Sequence, residues 1–558
     1  MESYFTYLYI SVFIGLLAYV VVYRVWTLPY ANLPGPTSPS WLFGNTKQIS
    51  AVEPGAKHEE WAKAYGTTYR HHILFGKSQI VTTDLTAISF IISHADEFPK
   101  PALMRKSFAF LLGEGLAVVE GDDHRRQRRV LNPCFNQQVV RGLLPTFYDM
   151  AEQLREKLLA VIEDDPDNAA SPTPAKGEDV VPGGRKIDVI KYLTMCTIDI
   201  IGKAGFDWDF QALSKPKNVL AEAYDSMFSA GYIHPLAAFL QNAIPGADRI
   251  PTKYQTIMNE SRATTRRIGQ KLMDDKKKAI KASFDEGLQK GDDIGKDLLS
   301  ICIRANMASD LAPEQRLSDE EVLAQITTFL LAGNETSSTA LTWILYLLAQ
   351  YPEEQKRLRE ESLGVDNERL SLEAISSLPY LDGVVREALR LFPPVAGRVS
   401  EAAKDMVVPL GRAVQGQDGK VMEHIKVPKG TLVNIPYRNV HISEDIFGPD
   451  AALFNPSRHI KEGQDDHLRA TQNTVPGVWG NLLSFFGGAR GCVGYKLALA
   501  EIKVILFVLV RGLVFEELAS KPVINRHLDL VNVQRPRVVG EEAAGMQMPL
   551  MVKPLIRA

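Results

Sequence analysis

The chain has 558 residues, 45% of them hydrophobic and 23% charged, with a net charge of −3. That composition supplies a large globular core, and the near-neutral balance excludes a protein built to hold nucleic acid by overall charge. The cysteines Cys134, Cys196, Cys302 and Cys492 are far apart with no C-x-x-C among them, which leaves neither a zinc site nor a disulfide framework supported.

Residues 3–23, SYFTYLYISVFIGLLAYVVVY, carry no charge and end at Arg24. At 1.5 Å per residue such a run crosses the hydrocarbon core of a bilayer. Glu2 stands where a cleaved leader has basic residues, which favours a retained single-pass anchor. Arg24 behind the run predicts a cytosolic main body. Residues 31–40, ANLPGPTSPS, contain three prolines that oppose helix continuation and predict a stiff hinge. Residues 41–558 then read as one body, mainly α with a small β portion.

Within that body, residues 68–84 read as two strands around a Gly-Lys turn. Residues 165–186 are rich in proline and glycine and predict a surface loop. Residues 259–284 have helical spacing. Three apolar stretches, 102–119, 227–246 and 543–552, are candidate walls of a pocket or plain core. The middle one also suits a surface resting on membrane lipid. Asn259 and Asn334 begin glycosylation sequons, which a cytosolic body leaves unused.

Residues 318–352 predict a helix of about 48 Å, opened by a capping box between Ser318 and Glu321 and ended at Pro352. Gly333, Asn334, Glu335 and Thr336 interrupt its apolar centre. Either their side chains are satisfied at a kink, or a widened turn admits a small ligand and a proton relay. Further on, Glu387 and Arg390 lie three apart on one helical face, a spacing that by itself is common. Arg458, in a proline-interrupted stretch, is placed to share the Glu387 carboxylate.

Phe485, Gly488, Arg490, Cys492 and Gly494 have the spacing F-x-x-G-x-R-x-C-x-G. The loop reads as a turn around an inert cysteine, a phosphate cradle or a metal loop. The phosphate reading lacks a following Lys-[Ser/Thr]. Glycines that let backbone N–H groups close on a sulfur, and a helix starting near Val493 with its positive end toward it, favour a thiolate metal ligand.

With these motifs, the stretch from the hinge to the C-terminus resembles the cytochrome P450 family of heme-thiolate monooxygenases, in its fungal microsomal style. The resemblance implies the cytochrome P450 fold behind one N-terminal transmembrane helix, with heme b held by Cys492 as axial ligand. It implies Phe485 beside the sulfur, Gly488 and Gly494 in the cofactor loop, and Arg490 on a heme propionate. Arg398 in PPVAGRVS resembles another propionate contact. GDDHRRQRRVLNPCF resembles the family helix with W-x-x-x-R, His124 replacing the tryptophan and Arg128 following one turn later. Glu387, Arg390 and Arg458 resemble the family's folding triad. Glu335 and Thr336 are implied as the residues that position water and deliver protons, and the thiolate as the group that favours O–O cleavage.

The implied reaction is oxidation of a small lipophilic substrate with O2 and NADPH-derived electrons. Electrons arrive through NADPH-cytochrome P450 reductase, with cytochrome b5 as a second donor, docked on the cysteine side near Arg490 and Lys496. The implied location is the endoplasmic reticulum membrane. Terpenoid tailoring in secondary-metabolite biosynthesis is the first substrate expectation, with xenobiotic, aromatic-hydrocarbon or fatty-acid hydroxylation the alternative. A non-oxygenating heme-thiolate isomerase or dehydratase is the alternative of another class, which the Glu335-Thr336 pair argues against.

Overall fold

Helices begin where the sequence supplies start signals. The elements that frame the site are α1 (Ala102–Leu112), α2 (Gly121–Leu131), α3 (Gln137–Glu163), α4 (Val189–Phe206) and α5 (Lys253–Asp285). They continue with α6 (Leu298–Asn306), α7 (Asp319–Gln350), α8 (Pro379–Leu391) and α9 (Tyr495–Val510). In α2, Asp122 and Asp123 occupy the first turn and Arg128 and Arg129 the last, each opposing the local end of the helix dipole. The capping box of α7 forms as expected: Ser318 Oγ accepts from the Glu321 N–H, and the Glu321 carboxylate accepts from the Ser318 N–H at 2.8 Å.

The computed structural model describes residues 28–163, 180–181, 183–215, 250–285, 297–306, 312–460, 475–529 and 532–556, with 11, 12, 15, 219, 220, 222, 223 and 226. The apolar run at 3–23, apart from Ser11, Val12 and Gly15, and the candidate wall at 227–246 lie outside the described residues. Among the described residues no helix is long and apolar enough to cross a membrane.

Thr68–His72 and Ser78–Thr82 form the expected hairpin, with Thr68 opposite Thr82. The sheet then continues through Leu432–Pro436, parallel to Ser78–Thr82, to Gly397–Glu401. A second sheet joins Val180–Val181, Gly184–Asp188, Pro549–Pro554 and Leu513–Glu516. This corrects one expectation and decides between two readings of another stretch. The end of the stretch taken as a loop is a strand, because its partner lies some 360 residues away, with Asp188 opposite Pro549. Of the two readings of 543–552, plain core holds for its end, which enters a buried strand of that same sheet.

α7 runs unbroken through its polar centre. Gly333 permits close approach of α4, since a Cβ there would meet Ile201 Cδ1 at 2.9 Å. The four polar residues after it find four different partners, because each step along a helix turns the side chain by about 100°. Asn334 is fully buried and accepts from Thr197 Oγ1 on α4. Glu335 pairs with Arg535, Thr336 Oγ1 bonds back to the Ala332 carbonyl at 2.8 Å, and Ser337 Oγ donates to Glu501 on α9 at 2.7 Å. The interruption is therefore a polar girdle in a continuous helix, with no widened turn, and within it the buried Asn334 Nδ2 has no hydrogen-bond partner.

Candidate active site

The cysteine loop is built by backbone. Gly488 has φ +61°, and a Cβ there would lie 2.7 Å from Ile92 Cγ2, so only glycine fits the turn. The Cys492 N–H then donates to the Phe485 carbonyl at 2.9 Å, and α9 begins two residues beyond the cysteine's neighbour, at Tyr495. Phe485 is held between Trp479 and Tyr495, with ring centroids 5.8 and 6.1 Å away.

This loop closes one side of an internal cavity of about 360 Å³. Cys492 opens onto that space while the body of the protein encloses it; the other three cysteines are buried in the core. Burial pushes the Cys492 thiol up, and the Gly494 N–H and Arg128 oppose that rise. From α7 the cavity receives Thr328, Phe329, Ala332, Gly333, Thr336, Ser337 and Ala340, so a small-residue groove faces it, with a hydroxyl at Thr336. Leu116, Ala117, Leu389 and Val395 add apolar surface.

Cations gather along this cavity. Lys100, Arg128, Arg398 and Arg490 all line it, together with His124. Carboxylates answer only part of that charge: Glu120 pairs with Lys100 at 2.7 Å and with Arg490 at 2.6 Å, and Asp96 meets Arg490 at 3.2 Å. Nε and Nη1 of Arg490 are buried with no hydrogen-bond partner. Burial, followed by the Arg490 and Lys100 charges, holds His124 down at about 3, so its imidazole is neutral at physiological pH. Burial likewise lowers Lys100 to about 8. Orphaned buried guanidinium N–H groups beside a cavity are what a bound dianion would satisfy. The two carboxylates of a heme, with a thiolate at the cavity wall, match this donor set.

The structure thus brings together Cys492, Phe485, Gly494, Arg490, Arg398, Arg128, His124 and Thr336 around one cavity. It does not bring Glu335 there. That carboxylate, 4% exposed, turns to Arg535, which also meets Asp529 at 3.3 Å. Gly488 shapes the turn from outside the lining, against Ile92. The Arg490 side chain is 3% exposed and paired with the half-buried Glu120, whereas Lys496 is exposed.

Glu387, Arg390 and Arg458 meet in the core. Arg390 donates to both Glu387 oxygens at 2.8 and 2.7 Å, and Arg458 Nε reaches Oε1 at 3.2 Å. A fourth member, His459, sits 2.8 Å from Glu387 Oε2. Despite the burial that opposes it, the Arg390 charge leads the pull that holds Glu387 well below the usual carboxylate range. For His459, burial outweighs the Glu387 carboxylate and lowers its pKa.

The family model for cytochrome P450 matches residues 33–539. The chain belongs to the cytochrome P450 family. It is 38% identical over 547 residues to cytochrome P450 monooxygenase 128 of Postia placenta, covering 96% of this chain and 95% of the relative. Cytochrome P450 monooxygenase 205 of the same fungus is also 38% identical, over 544 residues, with 96% and 95% covered. Cytochrome P450 monooxygenase claP of Ampulloclitocybe clavipes is 33% identical over 530 residues, with 93% and 92% covered. The protein is a cytochrome P450 monooxygenase whose cofactor is heme b bound through a cysteine thiolate, and it requires a redox partner and a small-molecule substrate.

Lys100 and Glu120 were missed by the sequence reading: neither lies in a recognisable motif, and their pairing across 20 residues is a product of the fold. Lys100→Met is expected to release heme about tenfold faster, the loss of one charge-assisted contact. Transfer of heme to a scavenging apoprotein, followed spectroscopically, reads this directly; an unchanged rate removes Lys100 from the propionate set.

Proposed function

We propose that this cytochrome P450 oxidises a small lipophilic substrate, with terpenoid tailoring in secondary metabolism as the class to examine first. The observation that carries the reading is the division of the cavity: cations on one margin, a single cysteine in the loop, and apolar side chains with one Thr336 hydroxyl over the rest.

When bound, heme supplies oxygen activation at its iron. The chain's own residues do the remaining work. Cys492 would hold the iron through its thiolate, and Arg128, Arg398, Arg490, Lys100 and neutral His124 would orient the group by its carboxylates. Phe485, fixed between two aromatic rings, shields the sulfur from water. Thr336 Oγ1, free to exchange its bond to the Ala332 carbonyl for a water in the cavity, positions that water and passes its proton. Glu335 serves as a proton source only after leaving Arg535. Leu116, Ala117, Phe329 and Val395 exclude water and hold the apolar body of the substrate.

The electrons are taken from NADPH-cytochrome P450 reductase, with cytochrome b5 as an accessory donor, at the endoplasmic reticulum membrane. Co-expression with that reductase and untargeted product analysis tests the reading: oxygenated products are expected only with NADPH and reductase. Products formed without either would point to the redox-neutral isomerase alternative. In the same system Cys492→Ser is expected to lose the thiolate-type Soret band of the reduced carbonyl complex entirely, and retention of that band would sink the ligand assignment.

A further inference from the structure

Phe485 is clamped by two rings that stand outside the cavity lining. Phe485 and Cys492 both line the cavity, whereas Trp479 and Tyr495 flank the Phe485 ring from behind, with centroids 5.8 and 6.1 Å away. Each of the two flanking rings carries a cation. The Arg386 guanidinium carbon lies 5.3 Å from the Trp479 centroid, and Lys496 Nζ lies 5.9 Å from that of Tyr495.

The two sides of the clamp are held differently. Tyr495 is the first residue of α9, so the helix start sets its place. Trp479 sits on irregular chain, and two devices fix it there. The first is backbone. Residues 475–487 fold back on themselves: the Val478 N–H donates to the Phe486 carbonyl at 2.8 Å, and the Leu482 N–H donates to the Trp479 carbonyl at 3.2 Å. Gly477 lets the two arms close, since a Cβ there would stand 1.8 Å from the Leu482 carbonyl oxygen. This fold returns Trp479 to Phe485, six residues further on, with the rings edge to face at 77°.

The second device is charge. Arg386 on α8 donates from Nη2 to Asp382 Oδ2, one turn earlier, at 2.8 Å. The other Asp382 oxygen accepts from Lys503 Nζ of α9 at 2.8 Å, and Lys503 is 5% exposed. Asp382 is thus pinned from α9 and presents Arg386 to the indole. Trp479 therefore has a backbone anchor and a capped ring, and its free edge is spent on Phe485.

Phe485 in turn is tied to the cysteine, because its carbonyl accepts from the Cys492 N–H at 2.9 Å. The apolar shell around a metal-bound thiolate decides how much water reaches it. Each hydrogen bond to the sulfur withdraws electron density from it and raises the reduction potential of the metal. We propose that Trp479 is a positioning residue for the oxidation: it holds the Phe485 ring beside Cys492, keeps water from the sulfur, and so keeps the reduction potential low. The inference rests on the reading of Cys492 as the thiolate ligand given above.

The test uses the full-chain holoenzyme and a spectroelectrochemical titration of its one-electron ferric–ferrous couple. Trp479→Ala is expected to shift that equilibrium toward the ferrous form by about tenfold, a rise of about 59 mV for one electron. Trp479→Phe, which keeps a ring edge toward Phe485, is expected to shift it by less than about threefold. Because Trp479 acts through Phe485, the effect of Trp479→Ala should shrink to about twofold or less in a Phe485→Leu protein. The reduced carbonyl complex reports that the thiolate stays bound in each variant. Should Trp479→Ala fail to take up heme, Trp479→Leu carries the same comparison with the same sign. An unchanged or lowered potential overturns the proposal, even beside a lowered melting temperature, because a merely structural ring would loosen the fold without moving the couple. A full shift that persists in the Phe485→Leu protein overturns it as well. A wild-type protein whose reduced carbonyl complex lacks the thiolate-type Soret band would instead overturn the reading of Cys492, so the two failures are distinguishable.

Discussion

Arg390→Met is expected to destabilise the protein by about 3–5 kcal/mol, the cost of removing one partner from a buried pair. That is a large fraction of the roughly 5–15 kcal/mol that holds a typical domain together. Arg390 is fully buried and spends every donor: two on Glu387, others on the carbonyls of His441, Ala451 and Leu453. Methionine fills the volume and satisfies none of these. The Glu387 carboxylate keeps only Arg458 and His459, and three carbonyls lose their donor. Those carbonyls belong to the chain between the strand Leu432–Pro436 and the cysteine loop, and His441 Nε2 in turn accepts from the Leu483 N–H at 2.8 Å. The damage therefore travels to the heme side, and low heme content in expressed protein accompanies the lower melting temperature. Glu387 carries a pH signature as well. Its folded pKa is depressed, so its stabilisation is present above the unfolded carboxylate value near 4.5 and is lost as pH falls. Melting temperatures measured from pH 6 down to pH 3 should fall more steeply below about pH 4.5 for the wild type than for Arg390→Met, in which much of that contribution is already gone. Parallel profiles would deny the triad its electrostatic role.

Where a residue's role depends on local geometry, the sequence displayed it. The cysteine loop needs Gly488 at positive φ, the long helix needs Ser318 and Glu321 at its start, and Glu387 with Arg390 share a helical face; each is a constraint within a few residues. Where the role depends on which way a helix faces, the sequence was silent. Glu335 and Thr336 are adjacent, yet a turn of about 100° separates their directions, and only the packing of α7 against α4 decides that Thr336 meets the cavity while Glu335 meets Arg535. Arg535 comes from the strand Gln534–Val538, some 200 residues away, and no spacing rule announces it. His459 is the instructive intermediate case. It follows Arg458 directly, and joins the triad because the one-turn helix Pro456–His459 sets both side chains toward Glu387. One signal was legible and passed over: a lone glutamate, Glu501, inside LALAEIKVILFVLV, the apolar run that forms α9.

Glu501→Gln is expected to stabilise the protein, increasingly so as pH rises. Glu501 is 2% exposed, its hydrogen-bond partner is the Ser337 hydroxyl, and burial pushes its pKa up from 4.5 to about 8. The sign follows from proton counting. Between pH 4.5 and 8 the unfolded chain has lost this proton while the folded chain keeps it, so each pH unit in that window lowers folding stability by up to about 1.4 kcal/mol. Glutamine matches the protonated carboxyl in shape and does not ionise when the chain unfolds. The variant and the wild type should therefore be nearly equal at pH 5 and differ by about 3 kcal/mol at pH 7, with the gap closing to new growth above pH 8, where Glu501 ionises in both states. Unfolding of the heme-loaded protein at pH 5, 6, 7 and 8 reads this, and a gap that does not widen with pH would mean the carboxyl is already ionised in the fold. This slope is opposite to that of Glu387, and the contrast has a physical cause. Arg390 and Arg458 bind Glu387 and keep it charged, whereas the group bonded to Glu501 is a hydroxyl whose residue, Ser337, lines the catalytic cavity beside Thr336. A neutral acid at that point keeps a proton one hydroxyl away from the cavity and places no second negative charge on α9, the helix that follows the Cys492 loop.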